Sequence, residues 1–243
     1  MNTLADLLRP TLEPEVIRES PEQETYFAQE RLAWDPTRFG EEQIRSLVSQ
    51  VFLPGWPKPA RQVVFSAVEE RDTEVAEICM QVGQALSEQV SGSVCVVQSS
   101  FAARAGENGR RERGNPAFAS EKFGSLRNGS RRVSGNLWLV PADIFAEGNG
   151  SGFATEPLSA RVAELRLDFD YAVLCGPPAG QGSQTALLGH LCDGVVLVLE
   201  ANSTRRVAAQ KAKEMLYAAS ARLLGTVLNQ RTFPIPEGIY RKL

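Results

Sequence analysis

The chain is poor in the residues that build metal centres and disulfide frameworks. One histidine, His190, stands among 243 residues, and the four cysteines, Cys79, Cys95, Cys175 and Cys192, form no CxxC pair. A structural zinc needs four such ligands at short spacing, so no metal site is expected, and the apolar surroundings of three of the cysteines suit buried, reduced thiols. Long hydrophobic runs are missing too. A run such as VVLVLE at 195–200 falls far short of the roughly 20 residues that cross a bilayer. The opening MNTLADLLRP has no basic region followed by an apolar core. The expected location is the cytoplasm. Nor is there a surplus of one charge: 26 Lys and Arg stand against 29 Asp and Glu, a net −3. Proteins that coat nucleic acid by charge alone carry a basic surplus, so no nucleic-acid partner is expected. What is present, 43% hydrophobic and 23% charged residues, is the composition of an ordinary globular domain.

Six short apolar runs punctuate the chain, at 61–67, 93–98, 137–142, 170–175, 194–200 and 222–228. Most are nearly continuous, as strands covered on both faces are. Segments of helical spacing lie between them. Ile44, Leu47, Val48, Val51 and Phe52 fall on one helix face, as do Val75, Ile78, Cys79, Val82, Ala85 and Leu86. Thr155 before Glu156 and Pro157 signals another helix start, and Ser203 or Thr204 a further one. Strands alternating with helices predict a mainly parallel α/β sheet. Residues 1–38 read as a flexible, acidic tail, 39–230 as the domain, 102–135 as a mobile basic insertion rich in Gly, Ser and Arg, 146–154 as a Gly-rich link, and 231–243 as a C-terminal tail with enough apolar residues to pack on something.

In such a sheet ligands bind beyond the carboxyl ends of the strands. The first junction, SAVEERDTEVAEI at 66–78, holds no glycine and no lysine. A phosphate loop needs glycines to curl backbone N–H groups around phosphates, a lysine to reach the β and γ groups and a hydroxyl for magnesium; only Thr73 offers one of these. Glu69, Glu70 and Asp72 equally suit a helix's first turn, where the dipole favours negative charge.

The residues flanking that junction resemble those of the bacterial tyrosine kinases of capsule and exopolysaccharide synthesis, relatives of the MinD/ParA-type P-loop ATPases. Ser66 and Ala67 match, while Glu69, Glu70, Arg71, Asp72 and Thr73 stand where the family has PGEGK[ST]. The run from Phe169 to Arg206 is similar to the family's stretch from a tyrosine-bearing strand ending in D[TS]PP to a [VC]DG strand and a threonine-rich helix start. Tyr171, Pro177, Pro178, Asp193, Gly194, Thr204, Gly225 and Asn229 fall into place. The acidic residue of the D[TS]PP motif, however, is Cys175, and Gly176 stands at its hydroxyl position. In the second acidic motif both aspartates are replaced, by Gln98 and Ser100. Asn229 matches a position that reads adenine in relatives, and it is equally a turn former. In the ExxRxxR assembly helix of the family, Glu42 and Arg45 match and Val48 replaces the second arginine.

The resemblance implies a P-loop NTPase-like, three-layer α/β fold with helices on both faces of the sheet. With the phosphate loop and both acidic motifs replaced, it implies no catalytic residue and no bound cofactor. The degenerate nucleotide-site positions are Glu69, Glu70, Arg71, Asp72, Thr73, Gln98, Ser100, Cys175, Gly176 and Asn229. The expected role is a pseudokinase: a regulatory or scaffold partner of a membrane polysaccharide chain-length or export protein, or of an active kinase homologue, held at the inner face of the membrane through that partner. Homo-oligomers through residues 41–52 are open to it. The alternative is a non-standard ATPase or tyrosine kinase that still binds Mg-ATP, through Arg71, Thr73 and Asn229. The family's tyrosine cluster is reduced to Tyr240 among four tyrosines in all. The arginines at 104, 110, 111, 113, 127, 131 and 132 form either a solvated loop or a surface for an acidic partner.

Overall fold

A computed structural model describes residues 36–53, 59–69, 72–98, 125–141 and 155–230. The expected tail before residue 36, the bulk of the 102–135 insertion, the 146–154 link and residues 231–243 lie outside the described residues. The chain divides into two compact units, residues 1–41 and 42–243. Of the first, only the opening turns of helix α1 (Pro36–Val51) are described; all that follows concerns the second.

Seven strands form one sheet in the order β3-β4-β2-β5-β1-β6-β7. They are β1 (Gln62–Ala67), β2 (Val94–Val97), β3 (Arg131–Ser134), β4 (Leu137–Val140), β5 (Tyr171–Cys175), β6 (Gly194–Glu200) and β7 (Leu223–Asn229). All neighbours run parallel except β3, which pairs antiparallel with β4. The helices are α1, α2 (Asp72–Gln89), the single turn α3 (Leu126–Gly129), α4 (Thr155–Asp168), α5 (Gln184–Leu191) and α6 (Arg206–Ala218).

The apolar runs are continuous because the sheet is covered on both sides. Along β1, Val64 faces one core cluster while Val63, Phe65 and Ala67 face the other; along β5, Ala172 and Leu174 face the first, Val173 and Cys175 the second. The first cluster is closed by Leu158, Val162 and Leu165 of α4, Ala186 and Leu188 of α5, and Ala212 and Leu216 of α6. The second is closed by Val48 and Phe52 at the end of α1 and by Val75, Ile78, Cys79, Val82 and Leu86 of α2. Each such side chain contributes about 1.5–3 kcal/mol on leaving water. The result is the expected three-layer α/β architecture.

Two sequence expectations are corrected. The basic insertion was expected to run as a mobile loop through 135, yet its last eleven residues, 125–135, carry α3, the edge strand β3 and the start of a tight turn into β4. They hold because Arg127 lies over the rings of Trp138 (4.8 Å) and Phe169 (5.2 Å), Arg132 lies over the Trp138 ring at 5.3 Å, and the Ser125 hydroxyl donates to Asp168 at 3.0 Å. Neither Ser203 nor Thr204 caps α6: the cap residue is Arg205, without a side-chain cap bond. Thr204 Oγ1 instead accepts from the Glu200 N–H at 2.8 Å, closing a turn that holds Asn202 at φ +65°.

Candidate functional site

The carboxyl end of β1 lies between those of β5 and β6, where ligands of open parallel sheets bind. The segment after β5 is laid along it. The Gly176 N–H donates to the Phe65 carbonyl (2.8 Å), the Ala179 N–H to Ala67 (2.8 Å) and the Gly180 N–H to Val68 (3.0 Å). The Ser66 and Thr185 hydroxyls, both buried, donate to the Pro177 carbonyl at 2.5 Å. Gly180 is required by this close approach, because a Cβ there would sit 2.5 Å from the Val68 carbonyl oxygen. The end of β1 is thereby stitched to the loop beside it, and Val68 is 1% exposed.

Where the resemblance sets an acidic residue and a hydroxyl, the structure has neither the chemistry nor the room. Cys175 is buried in the core cluster against α2, and its thiol meets that of Cys79. Burial first, then the bond to Cys175, pushes the Cys79 thiol well above its ordinary pKa, so it stays protonated. Burial likewise pushes Cys192 up to about 12. A side chain at Gly176 would place its Cβ 2.6 Å from Val64 Cγ1.

On the β6 side a crevice of about 20 Å³ is lined by Val68, Glu69, Val75, Glu200, Thr204 and Asn229, among others. That is room for one or two waters. Glu69 is exposed at its mouth, and Asn229 is brought there by its register with Glu200.

Of the sequence-predicted site residues, the structure therefore gathers Glu69 and Asn229 at the crevice and sets Cys175 and Gly176 in the wall between β5 and β1. Gln98 follows β2 with an exposed side chain, its N–H bonded to the Val140 carbonyl at 3.1 Å. Asp72 and Thr73 open α2; Glu70, Arg71 and Ser100 lie outside the described residues. On α1, Glu42 and Arg45 are exposed, but Val48 is 0% exposed in the core. Val48 is thus corrected from an interaction position to a packing one, since the apolar face of α1 is committed to its own domain. Sequence reasoning missed Ser66 and Thr185 as partners of Pro177, the Cys79–Cys175 contact and Glu200 at the crevice. Only Thr204 carried a signal, as a matched threonine.

At the opposite, amino ends of the strands, polar side chains tie the sheet together. The Asp193 carboxylate accepts the Arg61 and Gln62 N–H groups, each at 2.8 Å, and pairs with Arg166 at 3.0 Å. Asp170 accepts the Ser93 N–H (2.8 Å) and hydroxyl (2.9 Å). The Asn136 amide donates to the carbonyls of Val90 and Gly92.

No protein-family model matches the chain. It is similar to the tyrosine-protein kinase CpsD of Streptococcus agalactiae, 36% identical over 69 residues, 28% of this chain and 30% of that protein. It is 27% identical over 95 residues to CpsD of Streptococcus pneumoniae, 39% of this chain and 42% of that one. To the tyrosine-protein kinase YwqD of Bacillus subtilis it is 34% identical over 61 residues, 25% of this chain and 26% of the kinase. The similarity thus spans less than half the length of each of these relatives. Among solved structures, the chimerical protein CapA2B2 superposes with a TM-score of 0.60 at 15% identity, over 79% of this chain and 85% of that one. The VpsO kinase domain gives 0.56 at 18%, over 81% and 98%. The MinD cell division protein of Aquifex aeolicus gives 0.51 at 14%, over 75% and 73%. The chain thus has the three-layer α/β fold of MinD/ParA-like P-loop NTPases, and the homologous sequences it matches in part are bacterial tyrosine-protein kinases.

Proposed function

We propose that this chain is a non-catalytic relative of the bacterial tyrosine kinases, acting as a regulatory or scaffold partner in capsule or exopolysaccharide synthesis and export. One observation carries the reading. At the carboxyl end of β1, the residues that would meet phosphate and magnesium are replaced by a packed wall: Cys175 against Cys79, Gly176 against Val64, and the 176–180 backbone bonded to β1.

Mg-ATP, the group the fold type implies, does not fit these residues. Among the described residues that follow β1, β2 and β5, namely 68–69, 98 and 176–182, there is no lysine, arginine or aspartate. Glu69 and Glu200 are the charged groups that line the crevice, and a phosphate oxygen 4 Å from either would meet a repulsion of about 4 kcal/mol near a protein surface. Binding at millimolar strength amounts to about 4 kcal/mol in total. No phosphoryl-transfer step is derived for this chain.

The partner this reading requires is the cytoplasmic part of a membrane polysaccharide chain-length or export protein, or an active kinase homologue; Glu42 and Arg45 on the exposed side of α1 are available to it. Calorimetric titration with Mg-ATP and Mg-ADP into the millimolar range tests the closed site. No heat and no thermal shift are expected, and a micromolar dissociation constant would return the chain to the enzymes. Co-purification from a polysaccharide-producing cell tests the partner: recovery of an assembly or kinase protein is expected, and repeated failure to recover either removes the scaffold role.

A further inference from the structure

Helix α6 gives only part of its circumference to the core. Ala212 and Leu216 are buried in the first core cluster. Arg206, Gln210, Lys213 and Tyr217 recur every three or four residues as one exposed row, and Val207 and Lys211 stand exposed on the row beside it. Arg205, just ahead of them, is exposed too. Four cations thus crowd into residues 205–213 of a chain whose net charge is −3. The acid of this helix, Glu214, accepts from the Gln210 amide at 3.3 Å. No ion pair among the described residues involves Arg205, Arg206, Lys211 or Lys213.

The start of the helix breaks the usual rules of a helix start. The cap position favours Ser, Thr, Asp or Asn, and the first turn favours acids, because the dipole ends positive there. Here the cap is Arg205 with no side-chain cap bond, the first helical residue is Arg206, and no acid stands in the first turn. These cations therefore add to the positive helix end rather than offset it. Val207 beside them is 78% exposed. Tyr217, toward the other end of the exposed side, is 60% exposed, with the Lys213 ammonium 5.5 Å from its ring centroid. Ten residues of helix set Val207 and Tyr217 about 15 Å apart. Local rules broken with no gain in packing are expected where a surface has a use.

We propose that the exposed side of α6 docks on an anionic lipid surface, Arg205, Arg206, Lys211 and Lys213 lying among the headgroup phosphates and Val207 and Tyr217 reaching the layer beneath them. A cluster of four Lys and Arg on one helix matches a negatively charged leaflet, and tyrosine suits the boundary between headgroups and acyl chains. A nucleic-acid backbone would engage the cations but offers the two exposed apolar side chains no apolar layer. The proposal stands on α6 and does not rest on the function proposed above.

Sedimentation of the full chain with lipid vesicles tests it. Vesicles of about 30% phosphatidylglycerol in phosphatidylcholine should carry the chain down at low ionic strength, pure phosphatidylcholine vesicles should not, and about 0.5 M NaCl should release it. An Arg206→Gln/Lys211→Gln/Lys213→Gln chain should bind about tenfold or more weakly with its urea midpoint unchanged, since all three side chains are exposed. Removing the same charge elsewhere, in Arg38→Gln/Arg61→Gln/Arg131→Gln, should weaken binding by less than about threefold. A Val207→Ser/Tyr217→Ser chain should bind the anionic vesicles more weakly than the natural one. Absence of binding to anionic vesicles, or a loss in the α6 triple variant no greater than in the other, overturns the proposal. Tighter binding of a short DNA duplex than of anionic vesicles also overturns it, assigning the helix to nucleic acid.

Discussion

Cys175 shows how one residue carries both the resemblance and the departure from it. It ends β5, the strand beside β1, at the position where the resemblance sets an acidic residue, and its surroundings are the apolar cluster under α2 with the Cys79 thiol in contact. An aspartate introduced there would be buried without a cation, and unpaired buried charge is costly. Cys175→Asp is expected to lose about 3 kcal/mol of stability in urea denaturation. The loss should be larger at pH 8 than at pH 5, because burial favours the protonated acid and raises its folded pKa above the unfolded one. Full stability at pH 8 together with new Mg-ATP binding would show that the surroundings of Cys175 suit a carboxylate and a nucleotide. Gly176 points the same way, since a Cβ 2.6 Å from Val64 Cγ1 makes restoring a hydroxyl a matter of repacking β1.

At the scale of elements, what was legible in the sequence follows from burial. Strands covered on both faces must be apolar throughout, so β1, β2, β4, β5 and β6 stood out as runs, while β7, exposed at Thr226 and Leu228, stood out by composition alone. β3 escaped because its residues, RRVS, are all exposed and it is held through Arg127 and Arg132 packing about Trp138, a contact no periodicity announces. The site was legible as a set of positions after strands, but not as a wall. Cys79 and Cys175 lie far apart in sequence, and Pro177's two hydroxyl partners come from β1 and α5. Asp193 offers a test at this scale, because it joins the start of β6 to that of β1. Asp193→Ala leaves the Arg61 and Gln62 N–H groups without their acceptor and is expected to cost about 2–3 kcal/mol. Arg166→Ala removes a half-exposed ion pair and the Nε–H bond to the buried Gln62 side-chain oxygen and should cost less, about 1–2 kcal/mol. Equal losses in chemical denaturation would mean that the ion pair, not the backbone bonds, holds the two strands.

Across the whole molecule the two ends of the sheet carry different kinds of residue. The matched Asp193 and Gly194, with Asn136 and Asp170 beside them, sit at the amino ends and hold strands together. Glu69, Gln98, Cys175 and Gly176 sit at the carboxyl ends, where ligands of open parallel sheets bind, and these are the positions at which the sequence departs from the motifs it resembles. The staples of the sheet lie at the end away from these positions. Asp170 makes that separation measurable by pH. Its carboxyl is held below the usual carboxylate range first by the Ser93 N–H, then by the Ser93 hydroxyl, with help from Arg61 and Arg127. A lowered folded pKa contributes stability that is present above the unfolded value near 3.9 and is lost as pH falls through the folded one. The natural chain should therefore exceed Asp170→Asn in stability at pH 7, and the gap should close as the pH is taken below about 4. Paired thermal melts of the two chains from pH 7 to pH 3 measure it. A gap that stays constant over that range would show that Asp170 acts through hydrogen-bond geometry alone, and that the acid sensitivity of the sheet resides in another carboxylate.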